Sequence, residues 1–111
     1  MSSSHDRFVI TPAKIDRIVQ RLVRRFHPEK VILFGSWARG DAGANSDVDL
    51  LVVMPVNGSR RRKVVEMLAA LNDIPLPVDV VLATPQEFVD HADIVGTIVY
   101  PAVREGKVLY A

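Results

Sequence analysis

The stretch from Val31 to Met54, VILFGSWARGDAGANSDVDLLVVM, constrains this chain more than any other. An apolar run stops at Gly35-Ser36, a small polar loop follows, and Asp47-Val48-Asp49 leads into a second apolar run. Side chains on a strand alternate faces, so Asp47 and Asp49 point the same way and can reach one ion. Glycine at 35 lets the backbone approach an anion without a Cβ in the way, and Ser36 adds a hydroxyl at the same place. Together these residues suit a place where phosphate and divalent metal are gripped side by side.

The rest of the chain must support that stretch with few resources. At 111 residues it is expected to form one domain, residues 11–111 behind a tail of residues 1–10, with no room for a second lobe. Hydrophobic residues make up 49% and charged residues 24%, which is a folded composition and not a disordered one. A formal net charge of +1 gives no bulk attraction to nucleic acid, so direct nucleic-acid binding is not expected. The absence of cysteine excludes disulfides, thiolate metal sites and a cysteine nucleophile, leaving oxygen or histidine as metal ligands. His5, His27 and His91 are scattered and form no ligand spacing. The opening MSSSHDRFVI lacks a secretory pattern, and no apolar run approaches the roughly 20 residues that span a bilayer. No membrane partner is expected, and cytoplasm is the expected address.

The Ser-rich tail ends in a short apolar patch, Phe8 to Ile10, and is expected to be frayed. Thr11-Pro12 reads as an N-cap followed by proline at the first helical position. Ile15, Ile18, Val19, Leu22, Val23 and Phe26 then recur at helical spacing, predicting a helix to Phe26 that His27-Pro28 stops. Its opposite face carries Lys14, Arg17, Arg21, Arg24 and Arg25 and reads as solvated. Lys30 to Phe34 reads as a strand buried on both faces, Ser36 to Gly40 as a short helical turn whose free N–H groups favour an anion, and Asp41 to Ser46 as a loop. Asp47 to Met54 is the second strand, closed by Pro55.

A second helix is expected from Gly58-Ser59 to Leu71, burying Val64, Val65, Leu68 and Leu71. Its first turn holds Arg60, Arg61, Arg62 and Lys63, four cations where the helix dipole prefers acids. They read either as a solvated run or as a sign of an anionic neighbour. Pro75 and Pro77 bracket a turn before a third strand, Val78 to Ala83. Inside it lies Asp79, an acid that needs a metal, a base or solvent, since burying it unpaired costs several kcal/mol. If this strand lies beside the second, Asp47, Asp49 and Asp79 form a three-carboxylate cluster; the other reading is an edge-strand aspartate facing water. Thr84-Pro85-Gln86-Glu87 is a capping box that starts a short helix to His91. A further helix is expected from Ile94 to Glu105, kinked at Pro101, with Gly106 ending it and Lys107 to Tyr110 forming a small edge strand. Helices alternating with strands in this order predict a sheet with helices packed against it.

Oxygen ligands suit magnesium, which is held by one or two carboxylates plus substrate phosphates. Two metals sharing Asp47 and Asp49, with Asp79 on the side of the nucleophile, would clamp an in-line displacement at phosphorus. Nucleotidyl transfer fits these parts. Gly-Ser alone and Asp-x-Asp alone are weak signals. Much stronger is a strand ending in Gly35-Ser36, ten intervening residues, Asp47-x-Asp49 opening the next strand, and an acid in a third.

This joint pattern, Phe34-Gly35-Ser36-Trp37-Ala38-Arg39-Gly40 through Ser46-Asp47-Val48-Asp49-Leu50, resembles the signature of the DNA polymerase β nucleotidyltransferase superfamily, and in particular its minimal nucleotidyltransferases. The resemblance spans nearly the whole chain. It implies a polymerase-β-like α+β fold, with a small mixed sheet and helices packed against it. By the same resemblance Gly35 and Ser36 hold the triphosphate of ATP, and Asp47 and Asp49 hold two magnesium ions. Asp79 joins the metal site and helps deprotonate the acceptor hydroxyl, and Arg39 steadies the loop or touches phosphate. Trp37 departs from the smaller or basic residue expected after Gly-Ser, and packing is its expected role.

Minimal nucleotidyltransferases are often paired with a helical HEPN protein, in pairs resembling toxin–antitoxin modules whose toxin is an RNase. The resemblance therefore implies a hetero-oligomer in which this chain, as antitoxin, moves AMP from ATP onto a tyrosine of a HEPN toxin. One small lobe has little surface to enclose base and acceptor together, which agrees with a partner completing the cleft. Two rival readings are transfer to a small-molecule hydroxyl, as in aminoglycoside nucleotidyltransferases, and a non-catalytic antitoxin that inhibits by contact alone. The aminoglycoside enzymes usually carry an additional helical domain, and the intact acids count against contact alone.

Overall fold

In the computed structural model of the chain, residues 11–40, 42 and 47–111 are described. The tail of residues 1–10 and nearly all of the loop before Asp47 lie outside the described residues. The first helix, α1 (Pro12–Phe26), begins and ends where its signals lie. The Thr11 hydroxyl accepts from the Lys14 N–H at 3.2 Å, and His27 closes the helix in the left-handed region at φ 52°, its N–H donating to the Val23 carbonyl.

Strand β1 (Lys30–Phe34) follows, then the helical turn α2 (Ser36–Arg39), β2 (Val48–Val53), helix α3 (Arg60–Ala70), β3 (Val78–Ala83), the short helices α4 (Pro85–His91) and α5 (Val99–Glu105), and β4 (Lys107–Tyr110). The strands form one mixed sheet in the order β3-β2-β1-β4. β1 runs antiparallel to both β2 and β4, and β2 and β3 are parallel. The fold is α+β, a small mixed sheet with helices on both faces.

Alternate residues of each strand feed two separate cores. Val31 and Leu33, Val48, Leu50 and Val52, and Val80 and Leu82 face α1 and α3, whose Ile18, Val19, Leu22, Met67 and Leu71 complete the larger core. Ile32 and Phe34, Leu51 and Val53, and Ala83 face the other way, where Val99 and Ala102 of α5 and Phe88 of α4 pack on them. Because β1 and β2 are buried on both faces, their apolar runs are continuous instead of alternating. Among the described residues no helix is long and apolar enough to cross a membrane.

Two expectations need correction. Helix α3 buries Met67 and Leu71 with Val64 half-buried, whereas Val65 is 58% exposed and Leu68 is also exposed. Positions 64, 67 and 71 lie on one helical face and 65 and 68 are turned away from it, so the inward stripe passes through the methionine. The last helix begins at Val99, not Ile94. Gly96 adopts φ 100°, which no right-handed helix accommodates, and the N-cap is Ile98, with the Thr97 hydroxyl just ahead of it accepting from the Tyr100 N–H at 3.3 Å. Pro101 therefore sits in a first turn, where its missing N–H has no intrahelical acceptor to lose, and no kink is needed.

Candidate active site at one end of the sheet

Strand register places the acids. On the face served by α4 and α5, β1, β2 and β3 contribute cross-strand rows. Lys30, Val53 and Ala83 form one, Ile32, Leu51 and Val81 the next, and Phe34, Asp49 and Asp79 the last. The apolar rows thus give way to carboxylates at the end of the sheet where β1 finishes and β2 and β3 start. Asp49 and Asp79 are direct partners across the parallel pair and point to the same side, and Asp47, just before β2, is near enough for its charge to act on Asp49. Asp79 is exposed on the edge strand, so water satisfies it and no burial cost arises. The edge-strand reading holds for Asp79, which register sets beside Asp49, whereas the three carboxylates are not drawn together into one cluster.

Gly35 joins this row to the turn. Its backbone angles, φ 74° and ψ −154°, lie in a region open essentially to glycine alone. A Cβ added there would fall on the Asp49 carboxylate. The residue that ends β1 is therefore glycine both for its own conformation and because the acid of the next strand lies against it. The carbonyl of Gly35 accepts from the N–H groups of Ala38 and Arg39 at 3.1 Å, and Gly40 donates to Ser36 at 3.0 Å. This folds Ser36 and Arg39 into a compact turn beside the carboxylates. Trp37 turns to the other side of the sheet and packs on the larger core, lining a groove of about 360 Å³ with Ile15, Val19, Leu33 and Leu109. Packing is its role, as expected.

The electrostatics follow from this crowding. Desolvation raises the Asp49 carboxyl above the ordinary range, repulsion from Asp79 and then Asp47 raises it further, and Arg39 works the other way. Arg39 also lies 3.5 Å from Glu105 at the end of α5. Sequence reasoning missed Glu105. It is 66 positions from Arg39, and no local pattern signals a pairing made only by tertiary folding.

Among the described residues no three His, Cys, Asp or Glu side chains are gathered into a ready metal cage. Asp49 and Asp79 in register nonetheless match the donor set magnesium uses, two carboxylate side chains with the remaining positions left to water and phosphate. The mutual repulsion of these acids is what a cation would relieve.

The basic run at residues 60–63 is not part of this site. Arg60 forks onto Glu87 at 2.9 and 3.0 Å and reaches the Leu82 carbonyl, at the opposite end of β3 from Asp79. Lys63 pairs with Glu66 at 3.4 Å and lies 5.8 Å from the Phe26 ring, while Arg61 and Arg62 are exposed. The anionic neighbours of Arg60 and Lys63 are thus the chain's own glutamates, which offset the unfavourable helix dipole.

A mixed four-stranded sheet that carries a Gly-Ser turn and paired carboxylates at one end has the architecture of a nucleotidyltransferase. Residues 15–103 match the nucleotidyltransferase domain family, and the chain belongs to that family. Its fold is similar to that of a candidate nucleotidyltransferase from Sulfolobus solfataricus, with 24% identity, 95% of this chain and 81% of that chain covered, and a TM-score of 0.53. It is likewise similar to a toxin–antitoxin solved with AMP-PNP, with 24% identity, 86% and 73% covered, and a TM-score of 0.52. At these identities the likeness is one of fold. No curated protein matches the chain.

Proposed function

We propose that this chain is a magnesium-dependent antitoxin that transfers AMP from ATP to a tyrosine hydroxyl of a HEPN-family RNase toxin in the cytoplasm. The observation that carries the reading is the row of Asp49 and Asp79 in register, with Gly35 seated against Asp49. Nucleotidyl transfer needs anionic metal ligands and a phosphate-approachable backbone within one small volume, and this row brings both together. The fold shared with a toxin–antitoxin solved with AMP-PNP supports an antitoxin role and an adenine nucleotide.

In this reading Gly35 and Ser36 cradle the triphosphate, Arg39 faces its charge, and Asp47, Asp49 and Asp79 hold magnesium, two ions in the full site. Magnesium supplies the positive charge that screens the triphosphate and the transferring group. Asp79, exposed on the edge strand, takes the acceptor proton. The new bond joins the acceptor oxygen to the α-phosphorus as the α–β anhydride bond breaks, and pyrophosphate leaves with the displaced electron pair. The exposed row encloses little by itself, which is why a protein acceptor suits it.

The test is incubation of the chain with magnesium and ATP labelled at the α-phosphate, with and without the protein encoded in the neighbouring reading frame. Label on that protein, lost in Asp49→Asn, is the expected result. Label only on a small-molecule acceptor overturns the antitoxin reading. So does neutralisation of the toxin that persists in the double variant Asp47→Asn with Asp49→Asn when no label moves.

A further inference from the structure

Resting on that proposed function, we infer that Glu105 is a positioning residue for the nucleotide, holding the Arg39 guanidinium where the triphosphate arrives. Arg39 is tied at two points. Its backbone N–H donates to the Gly35 carbonyl at 3.1 Å, and its guanidinium lies 3.5 Å from the Glu105 carboxylate. Gly35 is the residue seated against Asp49. The charge of Arg39 also reaches Asp49, where it opposes the rise that desolvation and the neighbouring acids impose on the carboxyl. The guanidinium is thus within electrostatic reach of the acid row while its side-chain contact is made to α5.

Glu105 is brought there by packing that only a glycine allows. Val99 and Ala102 of α5 belong to the core on the acid-bearing face, with Ile32, Phe34 and Leu51, and Glu105 continues their i, i+3 row. Gly106 follows, and a Cβ on it would run into the Ala102 carbonyl, the Ile32 side chain and the Leu33 carbonyl. Lys107 then pairs with Leu33, so β4 starts at the end of the sheet where β1 finishes and the acids of β2 and β3 stand. The end of α5 is therefore pinned on β1 one residue after Glu105, which gives that carboxylate a fixed base.

Both partners of the pair are exposed, so it adds little to stability. Its effect lies in order. Arginine has a long side chain with many rotamers, and each contact that fixes it leaves less order to be imposed when phosphate arrives. Charge alone argues the other way: a carboxylate near a triphosphate repels it, and its removal would tighten binding. Positioning and repulsion therefore predict opposite signs for one substitution.

The experiment measures the affinities of wild type, Glu105→Gln, Arg39→Gln and the double variant for AMP-PNP and for AMP, each with magnesium. Melting temperatures serve as the folding control, and the exposure of both side chains lets every variant fold. Glu105→Gln is expected to weaken AMP-PNP binding about three- to tenfold, to weaken AMP binding less, and to add no further loss once Arg39 is replaced. Tighter or unchanged AMP-PNP binding by Glu105→Gln overturns the positioning role and leaves the transferase reading standing. The same holds for a loss that is equal with and without Arg39, or equal for AMP and AMP-PNP. A wild type that binds no AMP-PNP in the presence of magnesium overturns both.

Discussion

The two faces of the sheet are made from alternate residues of the same strands, yet they are finished differently. The face under α1 and α3 is apolar along its whole length, from Val31 and Leu33 across Val48, Leu50 and Val52 to Val80 and Leu82. The face under α4 and α5 is apolar for two rows and acidic in the third. One face supplies most of the burial that holds the domain together. The other trades a row of apolar contacts for carboxylates that repel one another. A lobe this small carries a charged site because stability and chemistry are assigned to opposite sides of the same strands.

Substitutions that damage one face and spare the other test this division. The largest effect on stability is expected for Met67→Ala, since Met67 is fully buried between α3 and the sheet. Denaturant unfolding should show a loss of about 2–5 kcal/mol. Leu68→Ala, one position on and exposed, should stay within about 0.5 kcal/mol. Equal losses would mean that the inward stripe of α3 is misassigned.

Gly35→Ala comes next. Its backbone region alone costs a non-glycine residue about 1–3 kcal/mol, and its Cβ displaces the Asp49 carboxylate. Turnover should fall about 100-fold or more, with a smaller loss of stability than Met67→Ala. Near-normal turnover would detach the Gly35–Asp49 contact from catalysis.

Asp49→Asn should act in the opposite direction on stability. Folding raises the Asp49 carboxyl, so between the ordinary carboxylate range and that raised value the native state binds more protons than the unfolded chain. Its contribution to stability therefore declines as pH rises through that window. Replacing it with the neutral amide should raise the metal-free melting temperature at neutral pH while abolishing transfer. At acid pH, where Asp49 is already protonated, the gain should shrink.

The smallest effect belongs to the Arg21–Asp73 pair on the helical side, 2.7 Å apart and solvent-exposed at the aspartate. Its hydrogen bond from Arg21 lowers the Asp73 carboxyl to about 2, so the pair's contribution is present above the ordinary carboxylate range and is lost as pH falls towards 2. Asp73→Asn should flatten that acid limb of the thermal-stability profile and change little at neutral pH.

The legible parts of the chain were those fixed by local chemistry. Thr11-Pro12 and the Thr84 to Glu87 capping box each satisfy their own backbone groups within one turn, so their sequence spelling is sufficient. Gly35-Ser36 and Asp47-x-Asp49 stood out by their joint spacing, and strand register is what sets Gly35 against Asp49. What was hidden is tertiary. The choice of Met67 over Leu68 depends on where α1 and the sheet press against α3, and Arg39 meets Glu105 only after α5 crosses the sheet. The Arg60 to Lys63 run stayed open between a solvated run and an anionic neighbour because its glutamate partners, Glu66 and Glu87, became visible as partners only in the folded chain. Aliphatic periodicity across residues 94–105 masked Gly96, whose positive φ divides the turn from the helix.

The central claim is that the acidic third row is a metal–nucleotide site and not merely a solvated end of the sheet. Its most direct measurement is the thermal shift given by magnesium and AMP-PNP together, in wild type and in Asp49→Asn, at neutral pH. The expected result is that the metal–nucleotide pair raises the melting temperature of wild type, while the variant starts higher and gains nothing further. An equal shift in both proteins, or an Asp49→Asn chain that starts lower than wild type, would contradict it.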